Sequence, residues 1–242
     1  MPRRGETEHG PHLPPSRFFP PAETATPEGA VALGGDLRSE ILLDAYAHGI
    51  FPWPIGERSP IVWASPDPRG VFEFDRIHIP RRLMRLLRQG RFHVTCDRDF
   101  AAVIRGCASA GDRAHGTWIT PAMVRAYIRL HRLGFAHSVE VWDSGLLAGG
   151  VYGVALAGLF AAESMFYVRP NASKVGLLHL LYHLQARGYR LVDIQMLTPV
   201  TQFLGALEIS RAEYLKRLAA ALQHPVDFGT EPDLSSAPWR RA

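Results

Sequence analysis

The chain has 242 residues, is 47% hydrophobic and carries a formal net charge of +4; it can bury a core as one large domain or two small ones, and it is too apolar for a disordered protein. No continuous apolar run reaches bilayer length, and no apolar segment follows the basic residues of MPRRGETEHGPHLPP, which argues against a membrane span or a signal peptide and predicts a soluble cytoplasmic protein. Its two cysteines, Cys96 and Cys107, fit neither a disulfide framework nor a zinc site, and the modest positive excess favours an anionic partner without proving one.

Residues 1–25, rich in Pro and charge, read as an extended arm ordered where Phe18 and Phe19 can pack. A mixed N-terminal domain is expected over 26–135. In it, Gly34-Gly35 make a turn, Asp36 or Ser39 can cap a helix, Leu42, Leu43 and Tyr46 form its apolar face, and Gly49 ends it. Phe51, Pro52, Trp53 and Pro54 then read as a stiff aromatic loop, and IVWASPDPRGVF as strand, Pro-Asp-Pro turn and strand.

HIPRRLMRLLRQGRF is a basic helix: Arg81, Arg82, Arg85 and Arg88 recur at helical spacing while Leu83, Leu86 and Leu87 turn inward. Such a ridge can track phosphates, and a merely solvated helix face is the alternative. FHVTCDRDFAAVIRGCA is strand then helix, with Asp97 placed to cap. After a loop around Trp118, Thr120 at the N-cap and Pro121 at the first helical position open another helix that Gly134 closes.

From residue 136 the texture changes, and a second domain is expected over 136–225. Three strand-like runs, joined at Asp143-Ser144-Gly145 and Ala157-Gly158, form an antiparallel meander. Its last strand leads through Pro170-Asn171 into a helix, Gly188 and a further strand, and a crossover of that length makes the two strands parallel. Alternation puts Asp193 and Gln195 on one face and Ile194 on the other, and groups Glu163 with Met165. A carboxylate and an amide at a strand's carboxyl end, beside a Glu and a Met, point to polar chemistry next to an apolar pocket.

Several patterns have competing readings. Gly149-Gly150-Val151-Tyr152-Gly153 lacks the lysine and following helix of a phosphate loop, so close strand packing explains it better. His179 and His183 have metal-ligand spacing on a helix but no third ligand, so no metal is expected. Asn171, Ser173 and Lys174 open a helix after a strand, where free N–H groups favour an anion; a simple helix cap with a surface lysine is the alternative. Tyr46, Trp53 and Trp118 lie in or beside loops, as binding rings or as core filling. The chain closes with a short helix, an amphipathic one capped by Ser210, and a polar tail over 226–242.

Together PEGAVALGGDLRSEILLDAYAHGIFPWP, PIVWASPDPRGVF, HIPRRL, GCA, GTWIT, AYIRLHRLGFAHSVEVW, GGVYGVALAGLF, ESMF, NASK, VDIQ and LGALEI resemble the leucyl/phenylalanyl-tRNA–protein transferase family over most of the chain. The resemblance implies an α+β or α/β fold, with an acyl-CoA N-acyltransferase-like C-terminal domain and a smaller mixed domain against it. It implies transfer of Leu, Phe or Met from aminoacyl-tRNA to a protein beginning with Arg or Lys, marking it for N-end-rule degradation, with no cofactor, no metal and no membrane. The coenzyme A pyrophosphate loop is missing; a coenzyme A-dependent N-acyltransferase and a non-catalytic tRNA- or peptide-binding module are the rival readings.

Residue by residue, Asp193 and Gln195 match the family's catalytic pair and Glu163 a site residue between donor and acceptor. Tyr46, Trp53, Trp118 and Met165 match donor-binding positions, with Val151 at a pocket position that is commonly Met. Arg81, Arg82, Arg85 and Arg88, with Asn171, Ser173 and Lys174, are the expected tRNA contacts. The chain departs from the family at Ile194, where Cys is usual and which alternation turns away from the site, and at Val200 and Phe203, where His and Ser are usual.

Overall fold

A computed structural model describes residues 12–54, 59–109 and 119–240. Near the N-terminus, strand β1 (Ala30–Leu33), helix α1 (Ser39–Ala47), strand β2 (Phe51–Pro54) and strand β3 (Ile61–Ala64) build a small antiparallel sheet in the order β1-β3-β2. The stretch Phe51 to Pro54, expected as a loop, is therefore a strand. Its prolines are tolerated because β2 is an edge, where a missing N–H breaks no ladder. Neither Asp36 nor Ser39 caps α1: Arg38 occupies the N-cap without a side-chain bond, and Asp36 accepts from the Arg38 N–H instead.

After β4 (Arg69–Phe72) come α2 (Arg81–Gln89), β5 (His93–Cys96), α3 (Phe100–Ser109) and α4 (Pro121–Arg132). The meander is β6 (Ala136–Asp143), β7 (Leu146–Leu156) and β8 (Leu159–Tyr167), followed by α5 (Ala172–Arg187), β9 (Leu191–Gln195), α6 (Pro199–Phe203), β10 (Leu207–Ile209) and α7 (Arg211–Ala221). Seven strands form one mixed sheet, β10-β4-β9-β8-β7-β6-β5, in which β8 and β9 are the parallel pair. The sheet draws β4 and β5 from the chain before residue 136. β10 extends it beyond what periodicity suggests, since three residues are too few to show a period.

Local signals place the ends. Thr120 accepts from the Met123 N–H with Pro121 in the first turn of α4, and Ser210 accepts from the Glu213 N–H to open α7. Helix α3 is capped by Asp99 rather than Asp97, through the Ala102 N–H at 2.9 Å. Asp97, at φ 55°, instead bonds the Ser138 N–H and the His137 ring.

Strand β7 is covered on both faces, and its glycines permit this. A Cβ on Gly149 would meet Ala172 of α5 at 2.9 Å, and one on Gly150 would meet Val103 of α3 at 2.9 Å. Tyr152 and Phe166 thus face the core under α1, α3 and α4, while Val151, Phe160 and Ile194 face the core under α5 and α2. Alternating apolar side chains on a sheet covered on both sides dictate this layering.

The C-terminal segment packs on α5. Phe228, Ala237 and Trp239 are buried, and His183 donates to the Phe228 carbonyl while accepting from the Asp233 N–H. His179 bonds the Val175 carbonyl and its ring meets Trp239. Among the described residues no helix is long and apolar enough to cross a membrane.

Candidate active site

Strands β8 and β9 pair only over Leu159↔Leu191, Phe160↔Val192 and Ala161↔Asp193, and then part. Two local irregularities open the gap. In β8 the register with β7 slips between Ser164 and Ala162, leaving Glu163 as the extra residue of a bulge, a device that re-aims a side chain. In β9 the chain turns at Gln195, which has φ 58° while the Met196 N–H bonds the Ile194 carbonyl.

The two re-aimed side chains meet across the gap. Gln195 Nε2 donates to Glu163 Oε1 at 3.1 Å. Glu163 Oε2 accepts from the Tyr127 hydroxyl at 3.2 Å, and that hydroxyl also bonds Tyr46. Both residues border a cavity of about 430 Å³, with Trp53, Val151, Met165, Leu177, Ile194 and Val200 among its other walls. A mostly apolar cavity with a few convergent polar groups is the usual form of a small-ligand site.

Asp193 lies behind this wall, fully buried, with both oxygens occupied. Arg69 makes a bidentate pair with it, Nε to Oδ1 at 2.9 Å and Nη2 to Oδ2 at 2.6 Å, while Tyr214 of α7 donates to Oδ2 at 2.9 Å. The fourth donor is the backbone N–H of Gln195, at 2.9 Å from Oδ1. Asp193 thereby holds the turn that presents the carboxamide. Arg69, 1% exposed, is itself fixed by the Gly49 carbonyl and lies over the rings of Phe51 and Tyr214. A buried charge is tolerated only when paired and bonded in this way.

Burial pushes the Glu163 carboxyl up to about 7; the Asp193 charge adds to this, and hydrogen bonds from Tyr46 and Tyr127 together with the Arg69 charge oppose it. Burial also raises both phenols well above their ordinary value, so each stays a donor. Glu163 can exchange a proton near neutral pH, which suits a general acid or base.

The structure brings together Glu163, Gln195, Trp53, Val151 and Met165 on one cavity. Ile194, expected to face away from the site, keeps the strand's alternation and lies with Val192 opposite Asp193. The cavity opens on that face, so Ile194 lines it too, and the turn at Gln195 brings the carboxamide round to it. Tyr46 is buried in the last turn of α1, where its hydroxyl bonds Tyr127 and bears on Glu163. Val200 lines the cavity whereas Phe203 is exposed on α6. Trp118 falls outside the described residues.

Arg81, Arg82, Arg85 and Arg88 are exposed along α2, over buried Leu83 and Leu87. Asn171 is the N-cap of α5 at φ 69° without a side-chain cap bond, Ser173 is buried and Lys174 half-buried. One turn on, Leu177 reaches the cavity. Sequence reasoning missed Arg69, Tyr127 and Tyr214. Tyr127 had a signal, since Met123, Tyr127 and Leu130 share the inward stripe of α4; a lone arginine in a Pro-Asp-Pro-Arg-Gly turn had none.

The family profile described as leucyl/phenylalanyl-tRNA protein transferase matches residues 71–219, and the one described as its N-terminal domain matches residues 35–67. The chain is 52% identical over 214 residues to the leucyl/phenylalanyl-tRNA–protein transferase of Anaeromyxobacter sp. (strain Fw109-5), covering 88% of this chain and 91% of that protein. It is 52% identical over 212 residues to the protein of the same name from Pseudomonas fluorescens (strain Pf0-1), covering 87% and 93%. With that of Maridesulfovibrio salexigens it shares 50% over 215 residues, covering 88% and 89%.

Proposed function

The chain belongs to the leucyl/phenylalanyl-tRNA–protein transferase family of aminoacyltransferases, and on that premise we propose that it transfers Leu, Phe or Met from aminoacyl-tRNA to the N-terminal amine of proteins beginning with Arg or Lys. The product is a peptide bond that marks the acceptor for N-end-rule degradation in the cytoplasm. The observation that supports this reading most is the Gln195–Glu163 hydrogen bond in an open cleft beside an apolar cavity.

An aminoacyl ester is already activated, so aminolysis needs a neutral amine held in line with the ester carbonyl. Positioning of two substrates is worth roughly 7 to 11 kcal/mol at best. In the reaction the amine nitrogen bonds the carbonyl carbon, the ester C–O bond breaks, and the terminal ribose hydroxyl leaves with a proton. Gln195 holds the acceptor amine and Glu163 takes its proton, as a carboxyl near pH 7 is suited to do.

Asp193 acts through the Gln195 backbone N–H, not through the carboxamide, so it is a positioning residue. Trp53, Val151, Met165, Ile194 and Leu177 receive the donor's side chain and terminal adenosine. Arg81, Arg82, Arg85 and Arg88 hold the acceptor stem through phosphates without reading sequence, and the opening turn of α5 (Asn171, Ser173, Lys174) adds an anion-favouring surface.

The experiment is transfer of labelled leucine from Leu-tRNA to a peptide beginning with Arg, with an Ala-starting peptide and an acetyl-CoA donor as controls. Label in the Arg peptide alone supports the reading. Acetyl transfer without aminoacyl transfer would replace it with a coenzyme A-dependent one.

A further inference from the structure

The outer end of β8 lies beyond the machinery described above. Phe166 is buried on the α3 side, where its ring fills the space beside Gly106, so alternation sets Tyr167 on the opposite face, with Met165. Met165 lines the cavity; Tyr167 stands ~7 Å further out along the strand and is 60% exposed.

The exposed ring sits on rigid backbone. Tyr167 pairs with Gly149, and the Val168 N–H bonds the Ala148 carbonyl at 2.8 Å. Among the described residues, no hydrogen bond or ring contact engages the Tyr167 side chain. Two basic residues lie close to it in the chain and the fold: Arg169 two positions on, and Lys174 on the first turn of α5, whose Ala172 packs against Gly149, the strand partner of Tyr167. Asp143, 3.9 Å from Arg169, is already held by Arg91 at 2.9 Å.

We propose that Tyr167 is a stacking platform for a nucleobase of the donor tRNA's single-stranded 3′ end, just outside the point where the terminal aminoacyl-adenosine enters the cavity. This rests on the reading of aminoacyl-tRNA as the donor. Single-stranded RNA offers both a π-face for the ring and phosphate charge for Arg169 and Lys174. A polypeptide with a basic first residue is disfavoured on the same ground, by like charge.

The test uses the full chain with Tyr167→Ala and Tyr167→Phe. The first probe is an uncharged RNA hairpin with a short single-stranded 3′ tail carrying 2-aminopurine next to the terminal nucleotide. The others are aminoacyl-tRNA, and aminoacyl-adenosine, which lacks the nucleotides that would cross Tyr167. Tyr167→Ala should raise the hairpin Kd and the KM for aminoacyl-tRNA about tenfold, leave kcat and the KM for aminoacyl-adenosine unchanged, and relieve 2-aminopurine quenching. Tyr167→Phe should behave as the parent chain.

Unchanged hairpin binding in Tyr167→Ala, an equal rise in KM for aminoacyl-adenosine, or a rise in KM for the acceptor peptide instead would each overturn the platform. Failure of the proposed reaction has a different signature: the parent chain binds the hairpin through Tyr167 but transfers no amino acid.

Discussion

The carboxamide of Gln195 and the carboxylate of Glu163 meet at 3.1 Å where β8 and β9 have ceased to pair. One residue is delivered by a bulge and the other by a turn with φ 58°. The bond therefore depends on two departures from regular strand geometry, each stabilised from behind: Glu163 by Tyr127 and Gln195 by Asp193.

The first prediction concerns proton transfer. With Glu163 titrating near 7, kcat/KM for transfer should rise through about pH 7 and again as the acceptor α-amine, near pH 8, loses its proton. Glu163→Gln should remove the lower ionisation and slow transfer about a hundredfold. A pH-rate profile of both proteins checks this, and an unchanged lower limb removes Glu163 as the base.

The same carboxyl bears on stability. Its folded value lies above its ordinary 4.5, so between roughly pH 4.5 and 7 the folded chain binds more protons than the unfolded one. Stability contributed by this group falls as pH rises across that window. Urea denaturation at pH 5 and pH 8 should show a smaller difference in Glu163→Gln than in the parent chain.

A buried pair broken on one side should cost far more than a surface ion pair. Arg69→Met leaves the Asp193 carboxylate without its bidentate partner, and about 3 to 5 kcal/mol of stability should be lost. The double variant Arg69→Met/Asp193→Asn should be less destabilised than the sum of the single changes. Additive losses in urea melts would mean that the two residues do not act as a unit.

The sequence signalled the layout of the meander, the parallel crossover and the helix starts at Thr120 and Ser210, because those signals are local: alternation, turn residues and caps. It also marked Glu163, Gln195, Trp53, Val151 and Met165, which meet on one cavity. What it hid depends on distant pairing. Nothing near Arg69 announces a partner 124 residues away, and alternation cannot anticipate the turn at Gln195 that carries its carboxamide to the cavity on the Ile194 face.

The exposed arginines of α2 should act through phosphate alone. Charge reversal at Arg82 and Arg85 should lower the slope of log Kd against log salt for tRNA by about two, without changing which tRNA is preferred. Titrations at several salt concentrations test this; an unchanged slope makes the ridge a solvated face.

Cavity shape should govern the donor. Val151, where the wall is smaller than a methionine would make it, adjoins Met165, and Val151→Met should reduce kcat/KM for Phe-tRNA more than for Leu-tRNA, by about tenfold. A panel of charged tRNAs measures this. Equal use of Ile or Val by the parent chain would contradict the shape argument.

The most direct measurement is single-turnover transfer of labelled leucine from Leu-tRNA to an Arg-starting peptide by the parent chain and Gln195→Ala, with tRNA binding measured in parallel. The account predicts a rate loss of about a hundredfold or more in Gln195→Ala, with tRNA affinity retained. Transfer at the parental rate by that variant would contradict it.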